Sequence, residues 1–263
     1  MTKLQAHRGV SSEFPENTIV AYQAAVDQEY AIIELDPKYT ADGKFVMLHD
    51  KSIKRTARDM DGKTEDIPIS ELTLEQARRY EYGSWKDEKF KGVQIPTLSD
   101  VLDFSEKNPD VPLKFDNVWT KFPEDLKIAF LNEIAERGNG VNVGFTCGTL
   151  ESLSLAAKTV PWAALHYDGI DISEDTLKKV SEIAAGHKLV IWVCYDAPAT
   201  AWFKGEKANA ELCERVRRYG KLGIWLLSER EELEKAVCEF KADYVETNGR
   251  IKPDWVEDIL SNC

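Results

Sequence analysis

Short apolar runs alternate with amphipathic segments along the whole chain. Nine runs are rich in β-branched and aromatic residues and apolar on both faces; they occupy residues 4–9, 31–36, 45–50, 111–116, 141–146, 162–167, 188–196, 222–228 and 242–248. Strands of this kind are typical of parallel sheets that helices cover on both sides. Because the strand–helix order repeats, the pattern predicts either a parallel barrel or a doubly wound sheet.

The segments between these runs carry helix start and stop signals. One helix begins near Asn17, Pro123 occupies the first turn of another, and Ser173 is the N-cap of a third. The length of 263 residues is close to the roughly 250 residues of a typical (β/α)8 barrel. Nine candidate strands exceed the eight places of a barrel, and we expect the surplus strand to lie within 141–228.

One connection is much longer than the others. About sixty residues separate His49 from Val111, far more than a simple βα connection needs. In a barrel this segment would follow strand 3 and lie at the C-terminal face, where it would form one wall of a pocket. We therefore expect a single domain, residues 1–263, with a small insertion at about 50–110.

The charge balance narrows the range of partners. Lys and Arg number 34 and Asp and Glu 46, for a net charge of -12, whereas nucleic-acid-binding proteins usually carry a basic face. No apolar run reaches the 18 residues of a membrane span, and the first residues lack the apolar region of a signal peptide. We expect no nucleic-acid partner, no stable membrane insertion and a cytoplasmic location; the oligomeric state is left open.

The cysteines are scattered and odd in number. None of the five stands in a C-x-x-C spacing. We expect reduced thiols in buried elements and neither a disulfide framework nor a zinc site.

Three predicted strands end in side chains that carry charge or can acquire it: His7, the pair Glu34 and Asp36, and His49. Residues two apart in a strand share a face, so Glu34 and Asp36 point the same way. Unless both lie in water at the strand end, these carboxylates need a shared proton, a basic partner or a hard cation such as Mg²⁺ or Ca²⁺. Catalytic residues of barrels cluster at such strand ends, so the coincidence predicts one site.

The residue types in this cluster suit phosphoryl transfer. Arg8 and a metal ion would neutralise the charge that develops on a phosphate. One of the two histidines would take a proton from the nucleophile and the other would give one to the leaving oxygen. Gly9, directly after Arg8, would let the backbone turn sharply or approach a ligand.

Four motifs in order now make a family resemblance specific. They are H-R-G at 7–9 with P-E-N-T at 15–18, E-L-D at 34–36, D-G at 42–43 with H-D at 49–50, and I-P-T-L at 95–98. In this order and spacing the sequence resembles the glycerophosphodiester phosphodiesterase family, densely over residues 5–55 and more loosely beyond about 104. The resemblance implies a TIM barrel and cleavage of a glycerol phosphodiester to sn-glycerol 3-phosphate and an alcohol.

The resemblance also implies roles for individual residues. By motif, His7 and His49 are the acid–base pair and Arg8 binds the phosphate. Glu16 is a polar partner at the site, and Trp225 matches a tryptophan that the family often places beside the substrate. Glu34 and Asp36 are ligands of a divalent metal, Mg²⁺ or Ca²⁺.

The sequence departs from the family pattern on the next strand, "LKFDNVW" at 113–119. Asp116 stands where the family has a third metal-binding glutamate. Val118 stands where the family has a phosphate-binding lysine. Lys114 shares a strand face with Asp116 but lies two residues deeper, so it would either substitute in part for that lysine as a substrate-binding residue or neutralise buried carboxylates. Near the C-terminus Asn248 occupies a position where the family often has aspartate.

These departures keep other functions open. The principal hypothesis is a metal-dependent hydrolase of glycerophosphodiesters. A barrel that binds a phosphate compound but catalyses weakly is one alternative, and a lyase resembling the sphingomyelinase D-type phospholipases, which gives a cyclic phosphate, is another. A sugar isomerase or aldolase on the same fold rests on analogy alone.

Overall fold

The computed structural model describes residues 1–263, apart from the side chain of Ala199. The described residues form ten strands: β1 (Lys3–His7), β2 (Ile32–Leu35), β3 (Pro37–Tyr39), β4 (Phe45–Met47), β5 (Leu113–Phe115), β6 (Val143–Cys147), β7 (Ala164–Tyr167), β8 (Leu189–Cys194), β9 (Lys221–Leu227) and β10 (Tyr244–Thr247). The α-helices are α1 (Ile19–Asp27), α2 (Leu74–Ala77), α3 (Leu98–Lys107), α4 (Glu124–Glu136), α5 (Leu150–Thr159), α6 (Glu174–Ile183), α7 (Ala210–Arg217), α8 (Arg230–Glu234) and α9 (Asp254–Leu260).

Eight of the strands form a closed parallel barrel in the order β1, β10, β9, β8, β7, β6, β5, β2. The first strand closes it, because Ala6 lies opposite Ile33 on one side and Thr247 on the other. Helices lie between successive strands of the barrel, as parallel connections require. The predicted barrel is therefore confirmed and the doubly wound sheet is excluded.

The surplus strand is not where we expected it. Residues 45–50 contribute β4, which pairs antiparallel with β3 in a hairpin outside the barrel, with Pro37 opposite Met47. Both expectations were wrong: the surplus strand lies outside 141–228, and the insertion follows the second barrel strand, not the third. The pattern misled because β4 is buried on both sides, with Met47 in the barrel's hydrophobic core and Val46 in a separate cluster.

That separate cluster belongs to the insertion. Its buried residues are Val46, Leu48, Ile53, Ala57, Ile69, Leu72, Ala77, Tyr82 and Ile95. They lie under long loops and short helical turns, so this apolar contact is what orders the segment. The hairpin is also tied to the barrel, since the Leu48 amide donates to the Asp36 carbonyl at 2.9 Å. The insertion thus holds residues 48–55 beside the end of β2.

The helix ends agree with the sequence signals. Thr18 caps α1 and Ser173 caps α6 through their side chains, and Pro123 directly precedes α4. Within the described part of the chain, no helix has both the length and the apolar character needed to cross a bilayer.

The expectation of five reduced cysteines was wrong. Cys238 and Cys263 form a disulfide with their Cα atoms 5.6 Å apart, and Cys147, Cys194 and Cys213 are buried thiols. The α9 helix buries Val256 and Ile259 against the barrel. This packing brings the C-terminal cysteine back to a partner 25 residues earlier, a proximity that spacing along the chain does not reveal.

Candidate active site

The ends of β1 and β2 place the first two candidate groups side by side. The strand register puts His7 opposite Glu34. The His7 Nε2 atom lies 3.9 Å from Glu34 Oε2, and the same oxygen accepts a hydrogen bond of 3.0 Å from the Arg8 backbone amide. Glu34 is buried. The expected juxtaposition of an imidazole and a carboxylate at the barrel mouth is therefore present.

A tight turn after β1 directs the Arg8 side chain across this mouth. Arg8 has φ 59° and Gly9 has φ 77°, and a Cβ atom on Gly9 would come within 2.6 Å of the Ala21 backbone. Glycine is thus required at position 9 both for conformation and for space. The turn brings Arg8 Nη1 to 2.9 Å from Glu16 Oε1 and Arg8 Nε to 3.2 Å from Asp36 Oδ2.

The P-E-N-T loop fixes the Asp36 carboxylate through Asn17. The Asn17 amide nitrogen donates to Asp36 Oδ2 at 2.8 Å, and its amide oxygen accepts from the Asp36 backbone at 3.0 Å. The Tyr22 hydroxyl donates to the same amide oxygen at 3.2 Å. A buried asparagine that satisfies its donor and acceptor in this way holds both the loop and the carboxylate in place.

Both candidate catalytic histidines are held through Nδ1. His7 Nδ1 lies 2.6 Å from Asn248 Oδ1, and His49 Nδ1 lies 2.6 Å from Asp50 Oδ1. Amide and carboxylate oxygens accept, so in each ring Nδ1 carries the donated hydrogen. This leaves Nε2 of each ring as the nitrogen for proton exchange with a ligand.

A charged network connects His49 to the barrel. Arg55 donates to Asp50, the partner of His49, and makes two hydrogen bonds of 2.7 and 2.8 Å with the Glu16 carboxylate. Glu16 in turn accepts from Arg8. The insertion and the loop after β1 are thus joined by hydrogen-bonded ion pairs, which connect His49 to Arg8 although β4 is not a barrel strand.

The carboxylates are crowded enough to change their proton affinities. Burial raises the pKa of Glu34 well above its usual range, and Asp36, Glu246 and Asp116 add to the effect. Burial and Asp36 likewise raise the pKa of Asp116. For Asp36 burial acts in the same direction, but Arg8, His49, Lys38 and His7 outweigh it and lower its pKa. Glu34 and Asp116 therefore hold a proton more readily than Asp36 does.

Deeper in the barrel, Lys114 has partners of its own. Its ammonium lies 3.3 Å from Glu246 Oε2 and 4.2 Å from the centre of the Trp192 ring, and only 4% of the residue is exposed. Gln5 also donates to Glu246. Of the two roles foreseen for Lys114, these contacts favour the neutralisation of a buried carboxylate.

Trp225 lies at the mouth on β9. Its indole Nε1 donates to Asp168 Oδ1 at 3.0 Å, and the exposed Trp202 stacks on it with ring centres 5.8 Å apart. Burial raises the pKa of Asp168 to about 7, although Lys114 opposes the shift. Trp225 therefore stacks on an exposed aromatic ring and donates a hydrogen bond to Asp168, whose pKa is raised to about 7.

The carboxylates do not form a ready-made metal cage. Among residues 1–263, the Ala199 side chain aside, no three His, Cys, Asp or Glu side chains are grouped closely enough to hold a metal ion. Asp36 Oδ2 is engaged by Arg8 and Asn17, and Asp116 Oδ2 accepts from the Val118 amide. The donor set nevertheless fits a hard divalent cation, because Glu34, Asp36 and Asp116 offer oxygen ligands in a region with excess negative charge.

The sequence had singled out several of these residues as candidates. Periodicity and strand ends pointed to His7, Glu34 and Asp36, and the family resemblance pointed to Arg8, Glu16, Asp116 and Trp225. Lys38, Glu246 and Asp168 were missed. Lys38 had a signal, since it lies two residues after Asp36 and so on the same side of an extended chain. Glu246 lies in β10 and Asp168 directly follows β7, and the partners of both are more than fifty residues away in the sequence.

Comparison with known proteins now identifies the family. A model of the glycerophosphoryl diester phosphodiesterase family matches residues 7–155, more than half of the chain. The chain belongs to this family. A protein of Mycobacterium tuberculosis described as a probable glycerophosphodiester phosphodiesterase is 39% identical over 284 aligned positions, covering 98% of this chain and 93% of the relative. This member of the family is accordingly a phosphoric diester hydrolase.

Solved structures agree on the fold of this family member. A phosphodiesterase of Oleispira antarctica, determined in complex with the product sn-glycerol-3-phosphate, superposes with a TM-score of 0.74 at 20% identity, covering 99% of this chain and 97% of the other. A glycerophosphodiester phosphodiesterase of Thermotoga maritima gives a TM-score of 0.63 at 22% identity, with coverage of 100% and 99%. At these identities the likeness confirms the barrel.

Proposed function

We propose that this protein hydrolyses glycerophosphodiesters to sn-glycerol 3-phosphate and an alcohol, with His7 and His49 as the acid–base pair. The observation that carries the proposal is the arrangement at the barrel mouth, where His7 lies beside Glu34. Hydrogen-bonded ion pairs there link Arg8, through Glu16 and Arg55, to Asp50, the partner of His49. Two proton-exchanging groups and a cation around one space suit the displacement of an alkoxide from phosphorus. The product bound by the Oleispira antarctica enzyme is consistent with this reaction.

Each histidine contributes one proton transfer through Nε2. One removes the proton from the attacking oxygen and the other protonates the leaving alkoxide. In the family-like mechanism, the attacking oxygen is the substrate hydroxyl next to the phosphoester, which gives a cyclic phosphate that water then opens. Asn248 and Asp50 keep the two rings in the tautomer that leaves Nε2 available.

Arg8 binds the phosphate, and Glu16 positions the Arg8 side chain. Burial opposes the charge on Arg8, but Asp36, Glu16 and Glu34 raise its pKa, so the guanidinium remains charged. Glu16 holds Arg8 and Arg55 at once. Trp225 contacts the alcohol or glycerol part of the substrate, and Lys114 neutralises Glu246 beneath the site.

A divalent cation fits the carboxylates of this site. Glu34, Asp36 and Asp116 would hold Mg²⁺ or Ca²⁺, with changes in the present partners of the aspartates. When bound, such an ion would stabilise negative charge on the phosphate. Without it, Glu34 retains a proton more readily than an ordinary glutamate because of burial and its negative neighbours.

A panel of glycerophosphodiesters tests the proposal. The protein is incubated with glycerol diesters of choline, ethanolamine, glycerol and inositol, each with Mg²⁺, Ca²⁺ or chelator, and phosphorus NMR follows the products. We expect sn-glycerol 3-phosphate and loss of turnover with chelator. A cyclic phosphate as the only final product would instead indicate the lyase, and tight binding of a phosphate compound without turnover would indicate the binding barrel.

We retain a cytoplasmic location as a proposal. The Cys238–Cys263 bond speaks against it, because disulfides are uncommon in a reducing cytosol. Cell fractionation, combined with thiol labelling before and after reduction, distinguishes a cytosolic protein from one in an oxidising compartment. In a cytosolic protein, Cys238 and Cys263 should both label before reduction.

A further inference from the structure

Lys38 has an unusual environment among the cations near the site. It lies in β3, two residues after Asp36, and its Nζ atom is buried without a hydrogen-bond partner in the described residues. The charges that act on it are those of Asp36, Asp116, Arg8 and Asp50. Residues two apart in an extended segment share a side, so the Lys38 side chain leaves the backbone on the side of Asp36, whose carboxylate lies 3.2 Å from Arg8 Nε.

An ammonium in this position is costly unless something binds it. It has three N–H donors, and buried donors are almost always paired in folded proteins. Arg8 donates to Glu16, and Lys114 lies 3.3 Å from Glu246. Lys38 makes no such bond, although the negative charges of Asp36, Asp116 and Asp50 act on it. A lysine that served only to neutralise those carboxylates would be expected to hydrogen-bond one of them.

The backbone around Lys38 is well fixed. Lys38 pairs with Val46 across the hairpin, and Val46 is fully buried in the hydrophobic cluster of the insertion. Asp36, at the start of the same segment, is held by Asn17 and by the Leu48 amide. The backbone that sets the direction of the Lys38 side chain is thus held both across the hairpin and at Asp36.

We propose that Lys38 binds a non-bridging phosphoryl oxygen of the substrate and forms, with Arg8, a two-cation phosphate site. The inference rests on the proposed function. Its ligand class is a phosphate ester with negative oxygens, which supplies acceptors for the unpaired donors of Lys38. Position 118, where the family resemblance expects a phosphate-binding lysine, holds Val118. Lys38 supplies the second cation from the hairpin instead.

The test compares ligand binding by Lys38→Met with that of the parent protein. Calorimetric titration with sn-glycerol 3-phosphate and with inorganic phosphate gives the affinities, in parallel with Mg²⁺ and with chelator. We expect roughly 10- to 100-fold weaker binding of both ligands, as for loss of a charged hydrogen bond. The control Lys63→Met, an exposed lysine of the same insertion, should bind both ligands as the parent does.

Two controls separate loss of a ligand contact from a folding defect. The first is Lys38→Gln, with circular dichroism of each variant to check its fold. The second adds Val118→Lys to the Lys38→Met variant and measures whether phosphate affinity returns. Recovered phosphate affinity in the double variant would support a ligand contact, because a structural defect at position 38 would not respond to it. Unchanged affinity in a folded Lys38 variant, or a parent protein that binds neither ligand, would overturn the inference. Lys38-dependent binding without hydrolysis of any diester would refute the proposed function and leave the phosphate site intact.

Discussion

Replacement of Asp168 by asparagine should stabilise the protein, and more so at higher pH. Burial raises the pKa of Asp168 to about 7 in the folded protein, from an ordinary value of 3.8. Between these values the folded state binds a proton that the unfolded state has lost, so stability falls as pH rises through this window. An asparagine side chain at this position would be neutral throughout and would still accept the hydrogen bond from Trp225.

The magnitude follows from the shift. About 3 pH units at roughly 1.4 kcal/mol per unit amount to about 4 kcal/mol above pH 7. Because Asp168 keeps partial contact with solvent, we halve this figure and expect Asp168→Asn to add about 2 kcal/mol at pH 8. At pH 5 only about one of these 3 pH units has been crossed, so the gain should fall below about 1 kcal/mol.

Urea unfolding of the parent and the variant at several pH values between 5 and 8 measures this gain. The free energy of unfolding is extrapolated to water at each pH, with equal denaturant slopes as a check that the transition is the same. Asp196→Asn is the matched control, because Asp196 follows the neighbouring strand β8 and is exposed. It should leave the pH profile unchanged.

Parallel pH profiles for the parent and Asp168→Asn would refute this reasoning. The same holds for a variant that is less stable than the parent at pH 8. Either result would mean that Asp168 is solvated or paired well enough to stay charged, so the electrostatic description of the barrel mouth would have to be revised.

The other predictions concern catalysis, backbone strain and the disulfide. His7→Ala and His49→Ala should each lower turnover of a glycerophosphodiester by about 10²- to 10⁴-fold with unchanged circular dichroism; substantial turnover in either variant would remove that histidine from the mechanism. Gly9→Ala should cost about 3 kcal/mol in urea unfolding, since the new methyl group combines a left-handed backbone with a clash at Ala21; a loss below about 1 kcal/mol would contradict this. Cys263→Ser should lower the unfolding free energy by about 3 kcal/mol, from the 25-residue separation of the bridge, and reductant should lower the parent to the same value; a variant as stable as the oxidised parent would show that the bridge adds nothing.

The sequence by itself determined the barrel class and the ends of its first two strands. Two-sided apolar runs separated by capped helices are a local property, and they predicted the parallel sheet. The same period of two placed Glu34 and Asp36 on one face, and the register then brought Glu34 beside His7. The assignment of His49 to the site stays a prediction, and one reason given for it was wrong, because β4 is a hairpin strand and not the third strand of the barrel.

Only the tertiary structure decided which distant groups meet. The pairing of Lys114 with Glu246, the contact of Trp225 with Asp168 and the Cys238–Cys263 bond join residues that no local period connects. Lys38 is a further example. Its position two residues after Asp36 indicates on which side of the segment its side chain lies, but not that its ammonium is buried without a hydrogen-bond partner. Periodicity records which side of an element is buried, whereas the charge state of a side chain depends on everything that packing brings around it.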